Sequence, residues 1–261
     1  MERIKITKEN TVLKSGEYII ESFDNLELET EVNSDINILV CNLPNKSLLK
    51  LLVKEDSRVT LSILTETASE DVKMSISVQK NGYVDGYLAD FSKDSMNFKC
   101  VIDLNEEGAT GNFKVASLAA NKDIKNIDVS INHNAPQTYG KADNYGVCKD
   151  SAKMSFLGTS WILHGSVKSN ARQNAKIMVF DEESNAIAKP ILKIDENDIK
   201  AGHGAAVGKI NDEHLFYLTS RGISEAEAKE LITFGYLKPI LLGFKEEMIK
   251  EHISSLIEGR M

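Results

Sequence analysis

The chain has 261 residues, 42% apolar and 27% charged, and its 39 acidic and 31 basic side chains leave a net charge of −8. That length suits one large β domain, or a β domain with a small appendage. The acidic balance argues against general binding to a nucleic-acid backbone, which rests on clustered Lys and Arg. From the N-terminus, Met1-Glu2-Arg3-Ile4-Lys5 lacks the apolar run of a signal peptide. Over the first two thirds, apolar and polar residues alternate with the period of half-buried strands. Val59-Thr60-Leu61-Ser62-Ile63-Leu64 and Met74-Ser75-Ile76-Ser77-Val78 show the pattern. So do Met96 to Ile102, Phe113-Lys114-Val115 and Ile127 to Ile131. Turn formers such as Lys80-Asn81-Gly82, Glu106-Glu107-Gly108 and Asn121-Lys122-Asp123 lie between the runs. Short strands at regular spacing suit a sandwich, a barrel or an irregular solenoid, with Val59, Leu61, Ile63, Ile76 and Val78 inward.

The pattern changes near Ile210. Asn211 is placed to cap a helix running through Leu215, Phe216 and Leu218, with Gly222 at its C′ position. Ser224-Glu225-Ala226-Glu227 reads as a capping box opening a second helix, with Ala228, Leu231 and Ile232 on one stripe. A third helix is expected over 244–258, with Phe244, Met248, Ile249, Ile253, Leu256 and Ile257 inward. The apolar run Leu215-Phe216-Tyr217-Leu218 points around most of a helical turn, so part of it should face the β body and part a neighbouring helix or a partner. The expected division is a β body over 1–208 and a helical domain over 209–261, separable by deletion of 211–261.

Most motifs that suggest chemistry are incomplete. Gly202-His203-Gly204-Ala205-Ala206-Val207-Gly208-Lys209-Ile210 resembles a phosphate loop, but it has five residues between its outer glycines and Ile210 where a Ser or Thr is needed. No GxSxG or HExxH pattern occurs. Cys41, Cys100 and Cys148 lie too far apart in sequence for a zinc motif, and their odd number argues against a disulfide framework. No stretch approaches the roughly 18 apolar residues of a membrane span. The expectation is a cytoplasmic protein with no complete catalytic site, not an enzyme. Of the five histidines, His203 stands apart, because two flanking glycines leave its imidazole unhindered and able to ligate iron, zinc or copper.

His203-Gly204-Ala205-Ala206, followed by Asp212-Glu213-His214-Leu215-Phe216-Tyr217-Leu218-Thr219-Ser220-Arg221-Gly222-Ile223, resembles the signature of the SufB/SufD scaffold proteins. Upstream, His133-Asn134-Ala135-Pro136-Gln137-Thr138, Lys149-Asp150-Ser151-Ala152 and Phe156-Leu157-Gly158 are similar to further elements of that family. The resemblance covers roughly 130–236. It implies an irregular right-handed parallel β-helix ending in a small helical domain. It also implies a place in iron–sulfur cluster assembly beside a SufC-type ATPase and a second scaffold protomer, either SufB-like or another copy.

In that reading the last rungs, around 175–203, pair with the second protomer. His203 is a metal ligand at the interface, completing a transient iron–sulfur cluster site with the partner's residues. The helical domain docks the ATPase through Leu215, Phe216, Tyr217, Arg221 and Gly222. Ser184 stands where SufB carries a cysteine, and Gly204 replaces SufB's glutamate, so the chain is closer to SufD. The alternative is a β-helix carbohydrate-binding protein or polysaccharide-active enzyme, which the first 200 residues alone would permit.

Overall fold

The computed structural model describes residues 4–6 and 10–261, so the sequence reading of Met1-Glu2-Arg3 lies outside it. Its strands run as β1 (Ile4–Lys5), β2 (Asn10–Leu13), β3 (Gly16–Ile20), β4 (Asn25–Thr30), β5 (Asp35–Cys41) and β6 (Leu48–Val53). They continue as β7 (Arg58–Thr65), β8 (Ser69–Val78), β9 (Tyr83–Asp90), β10 (Ser95–Leu104), β11 (Thr110–Ala119) and β12 (Ile124–His133). The last five are β13 (Tyr139–Cys148), β14 (Lys153–Ile162), β15 (Asn170–Val179), β16 (Asn185–Ile194) and β17 (Lys200–Lys209).

Odd strands stack in order into one sheet and even strands into a second, and every pairing is parallel. The chain is therefore a parallel β-helix, each rung giving one strand to each sheet. Gly16 pairs with Ile36 and Tyr139 with Asn170, so a rung grows from about 20 residues to about 31 toward the C-terminal end.

Local sequence explains the rungs. Side chains of a strand alternate between faces, and Val59, Leu61, Ile63, Ile76 and Val78 all lie fully buried in the interior. The corners need a left-handed residue, and Asn33, Asp56, Asn81, Gly108 and Gln137 supply it at positive φ. These corners stack as well. The backbone N–H of Asp56 donates to Lys80, that of Asn81 to Glu107 and that of Gln137 to Val167.

Three α-helices follow: α1 (Asp212–Thr219), α2 (Glu225–Leu237) and α3 (Glu247–Glu258), with a 3₁₀ segment Lys238–Gly243 before the last. Asn211 accepts from the N–H groups of Glu213 and His214, and Ser224 with Glu227 forms the expected capping box. Gly222, at φ +89°, closes α1 in a Schellman arrangement, its N–H donating to Thr219 and that of Ile223 to Leu218.

Two details depart from expectation. The third helix begins at Glu247, and Phe244 instead ends the 3₁₀ segment, buried. Met248 is 81% exposed and Leu231 52% exposed, because the inward stripe of α3 runs through Ile249, Ile253, Leu256 and Ile257 and that of α2 through Ala228, Thr233 and Leu237.

The helices fold back over the outer face of the odd sheet. Leu39, Leu64, Ala89, Phe91, Leu118 and Val147 on the strands join Leu237, Ile240, Phe244, Ile253 and Ile257 in a second apolar core. The ends of β7, β9 and β11 are buried on both faces as a result, and alternation gives way to continuous burial there. A Cβ on Gly243 would lie 2.2 Å from the Tyr87 ring, so only glycine admits this approach.

A buried polar seam fastens the end of this layer. Lys125, fully buried, donates from Nζ to the Ser92 carbonyl (2.7 Å), Ser92 Oγ (2.6 Å) and Asp90 Oδ1 (3.4 Å). Arg260 pairs with buried Asp123 and donates to the carbonyl of Phe91 at 2.9 Å and to that of Ser92. Among the described residues no helix is long and apolar enough to cross a membrane.

Candidate functional site

The C-terminal end of the solenoid is uncovered. Among the described residues β17 pairs only with β15, and β16 only with β14. Burial alternates along β15, weakens along β16 and almost vanishes along β17, whose Gly- and Ala-rich sequence offers little surface to bury. Ile187, Ile194 and Val207 remain exposed at this end. The glycine-rich stretch that resembled a phosphate loop is thus a strand in ladder register with β15.

Register places His203 beside Gln173, and Gln173 beside Ala142. Gln173 and Ala142 are both buried on the interior face, so His203 belongs to that face too. It is exposed because no rung lies above it. Ser184 donates from Oγ to the Asp150 carbonyl at 2.9 Å. Nearby Cys148 directs Sγ toward the carbonyls of Ala152 (3.3 Å) and Asn185 (3.8 Å), and burial pushes its thiol up to about 11. Burial also raises Cys100, so both remain protonated thiols at neutral pH. Among the described residues, no three or more His, Cys, Asp or Glu side chains gather closely enough to hold a metal ion.

The upstream motif elements have interior roles. His133 is fully buried, its Nδ1 hydrogen-bonded to Thr138 Oγ1 at 2.8 Å, and Thr138 in turn to Ser169 Oγ at 2.8 Å. Burial lowers the His133 imidazole to about 4. Lys149 donates to the Met261 carbonyl at 2.7 Å, tying a rung corner to the helical layer. Phe156 fills the interior.

Of the expected docking residues, Phe216, Tyr217, Arg221 and Gly222 are exposed and Leu215 is half-buried. Phe216 is 74% exposed and Tyr217 53% exposed, and the Arg221 guanidinium lies 4.4 Å from the centre of the Tyr217 ring. The expectation that part of this run faces the β body fails: α1 has no buried residue, and it packs chiefly on α2. His203, in a strand, and α1 occupy different elements, so the metal and docking expectations concern separate surfaces. Gln173 escaped sequence reading, since only the rung register brings it beside His203, 30 residues later.

The family model for the SufBD core domain of SUF-system iron–sulfur cluster assembly matches residues 20–236. Among curated proteins, the chain is similar to an iron–sulfur cluster assembly protein SufD of Bacillus subtilis (strain 168). The two are 36% identical over 155 residues, 59% of this chain and 36% of that protein. It is 30% identical to a SufBD family protein of Staphylococcus saprophyticus over 218 residues, 80% of this chain and 44% of the relative. A relative from Staphylococcus epidermidis is 29% identical over the same extent. The chain spans less than half the length of these relatives.

Proposed function

This chain belongs to the SufBD family of iron–sulfur cluster assembly proteins, and on that premise we propose that it is a SufD-like cytoplasmic scaffold subunit with no reaction of its own. Its open end pairs with a second scaffold protomer, SufB-like or another copy. His203 supplies one ligand to a transient cluster that the partner completes. The helical part docks a SufC-type ATPase through Leu215, Phe216, Tyr217, Arg221 and Gly222.

The observation that carries the reading is the uncovered last rung, which presents both a sheet edge and His203. Unpaired N–H and C=O groups along an exposed edge favour pairing with another chain. A lone imidazole is too few ligands for iron, so a shared site needs the second protomer. Exposed Phe216 and Tyr217 on α1, with the Arg221 cation over the Tyr217 ring, are suited to an interface hot spot.

Sedimentation at about 10 μM, alone and with a SufB-like protomer, tests the pairing. The expected outcome is a dimer in at least one mixture, lost when Ile187→Lys and Val207→Lys charge the last rung. A chain that stays monomeric in both overturns the reading. Within the complex, His203→Ala is expected to lower the iron and sulfide retained after anaerobic reconstitution.

A further inference from the structure

We propose that Gln173 is the positioning residue for His203: its side-chain carbonyl accepts the imidazole Nδ1–H and leaves the Nε2 lone pair facing the open end of the solenoid. This rests on the reading of His203 as an iron ligand and adds the group that fixes its tautomer.

The Gln173 amide has only one orientation. Its Nε2 lies 2.6 Å from Ser160 Oγ and 3.2 Å from the Ile191 carbonyl. A carbonyl only accepts, so the atom facing Ile191 must be the amide nitrogen. That leaves Oε1 as a buried acceptor without a hydrogen-bond partner, on a residue only 4% exposed. A buried carbonyl left unpaired is destabilising, because it has given up water and gained no donor in return. A Cβ on Gly158 of β14 would sit 3.4 Å from this oxygen, so the side chain reaches across the lumen from β15 toward the opposite sheet.

The donor nearest in the ladder is His203. It is the register partner of Gln173 on the same face, one strand spacing of about 4.8 Å away. The His203 side chain makes no hydrogen bond among the described residues, so its exposed ring is free to turn toward the carbonyl. Donation from Nδ1–H then selects the tautomer with Nε2 unprotonated. A ligating histidine commonly gives its second ring N–H to a carbonyl or carboxylate, which fixes ring orientation and raises basicity.

The test compares the full chain with Gln173→Met, which keeps length and apolar contact but removes the acceptor. Ser160→Ala serves as the control, since it disturbs the same lumen and leaves the carbonyl. On metal-free protein with ¹⁵N-labelled histidine, long-range ¹H–¹⁵N correlations at pH 8 report the His203 tautomer. The Nδ1–H form should dominate in the unmodified chain and in Ser160→Ala, and the Nε2–H form in Gln173→Met. Anaerobic ferrous-iron titration of the assembled complex should show affinity about tenfold lower in Gln173→Met.

An Nε2–H tautomer in the unmodified chain overturns the proposal even where the variant fails to fold. So does an equal change in both variants. If His203→Ala binds iron as tightly as the unmodified chain, the ligand reading itself falls. The tautomer measurement separates these two failures, because it needs no metal.

Discussion

In β10 and β12 the interior column reads Met96, Phe98, Cys100, Ile102 and Leu104 beside Lys125, Ile127, Val129, Ile131 and His133, all essentially inaccessible. In β15 and β17 the corresponding column reads Ala171, Gln173, Ala175, Ile177 and Val179 beside Ala201, His203, Ala205, Val207 and Lys209. Both pairs are ten-residue parallel strands in unbroken register. The first pair fills its rung mainly with large apolar side chains, each contributing about 1.5–3 kcal/mol when fully buried. The second is rich in alanine, buries Ile177 alone among its large apolar side chains, and leaves His203 and Val207 exposed on β17. A ladder alone therefore does not make a stable end. The body of the solenoid fills its own interior, and the last rung leaves much of its interior column exposed.

The largest expected effect tests that contrast directly. Phe113, buried and stacked on Phe98 with ring centres 6.0 Å apart, should cost about 3–5 kcal/mol as Phe113→Ala. Val207→Ala on the last rung should stay within about 0.5 kcal/mol. Urea denaturation of the two variants checks the difference, and equal losses would show that the end rung is as tightly packed as the middle.

Next in size is the seam that holds the helical layer. Arg260→Ala leaves Asp123 buried without its cation, an expected loss of about 3 kcal/mol. Hydrogen exchange should show α3 opening before β7–β11. The deletion of 211–261 suggested by sequence is a poor probe by comparison. It would expose Leu39, Leu64, Phe91, Leu118 and Val147 at once, so an effect on partner binding could not be separated from aggregation.

His133 gives the comparison a pH dependence. Its imidazole is held neutral at about 4, below the unfolded value of about 6.5. The unfolded state therefore takes up the proton first. The contribution is complete above pH 6.5 and is lost as pH falls toward 4. The expected loss at pH 5 is about 2 kcal/mol, and His133→Gln should flatten the stability profile between pH 7 and 5. An unchanged slope would mean that other groups dominate acid sensitivity.

The smallest expected effect is at His203. Exposed at the open end, it should change stability by less than about 0.5 kcal/mol as His203→Ala. A larger drop in melting temperature would place it in the packed body rather than at an uncovered end.

Much of this was legible in the residues. Alternation in Val59 to Ile63 and Met74 to Val78 fixes which side chains face inward, since a strand has only two faces. Asn81 and Gly108 mark corners because those positions require positive φ. Asn211 and Ser224 mark helix starts because their side chains satisfy N–H groups that the helix itself leaves free. These are local effects, decided within a few residues.

What local pattern could not decide was which outer faces are covered. Ala89, Leu118 and Val147 are buried on the far side of their strands only because three helical segments return from the other end of the chain. Met248 looked inward on spacing alone, yet the covering surface stops short of it. The Leu215 to Leu218 run was divided between the β body and a neighbouring helix or partner, and the helix α2 is the neighbour it has. The sequence alone determined the strands, the corners, the helix caps and the identity of His203 as an unhindered imidazole, because steric and hydrogen-bonding rules act over short spans. Tertiary structure decided that Gln173 lies beneath His203 and that no strand among the described residues lies above it. Rung register accumulates over every preceding corner, and the covering of a surface depends on residues far away in the chain.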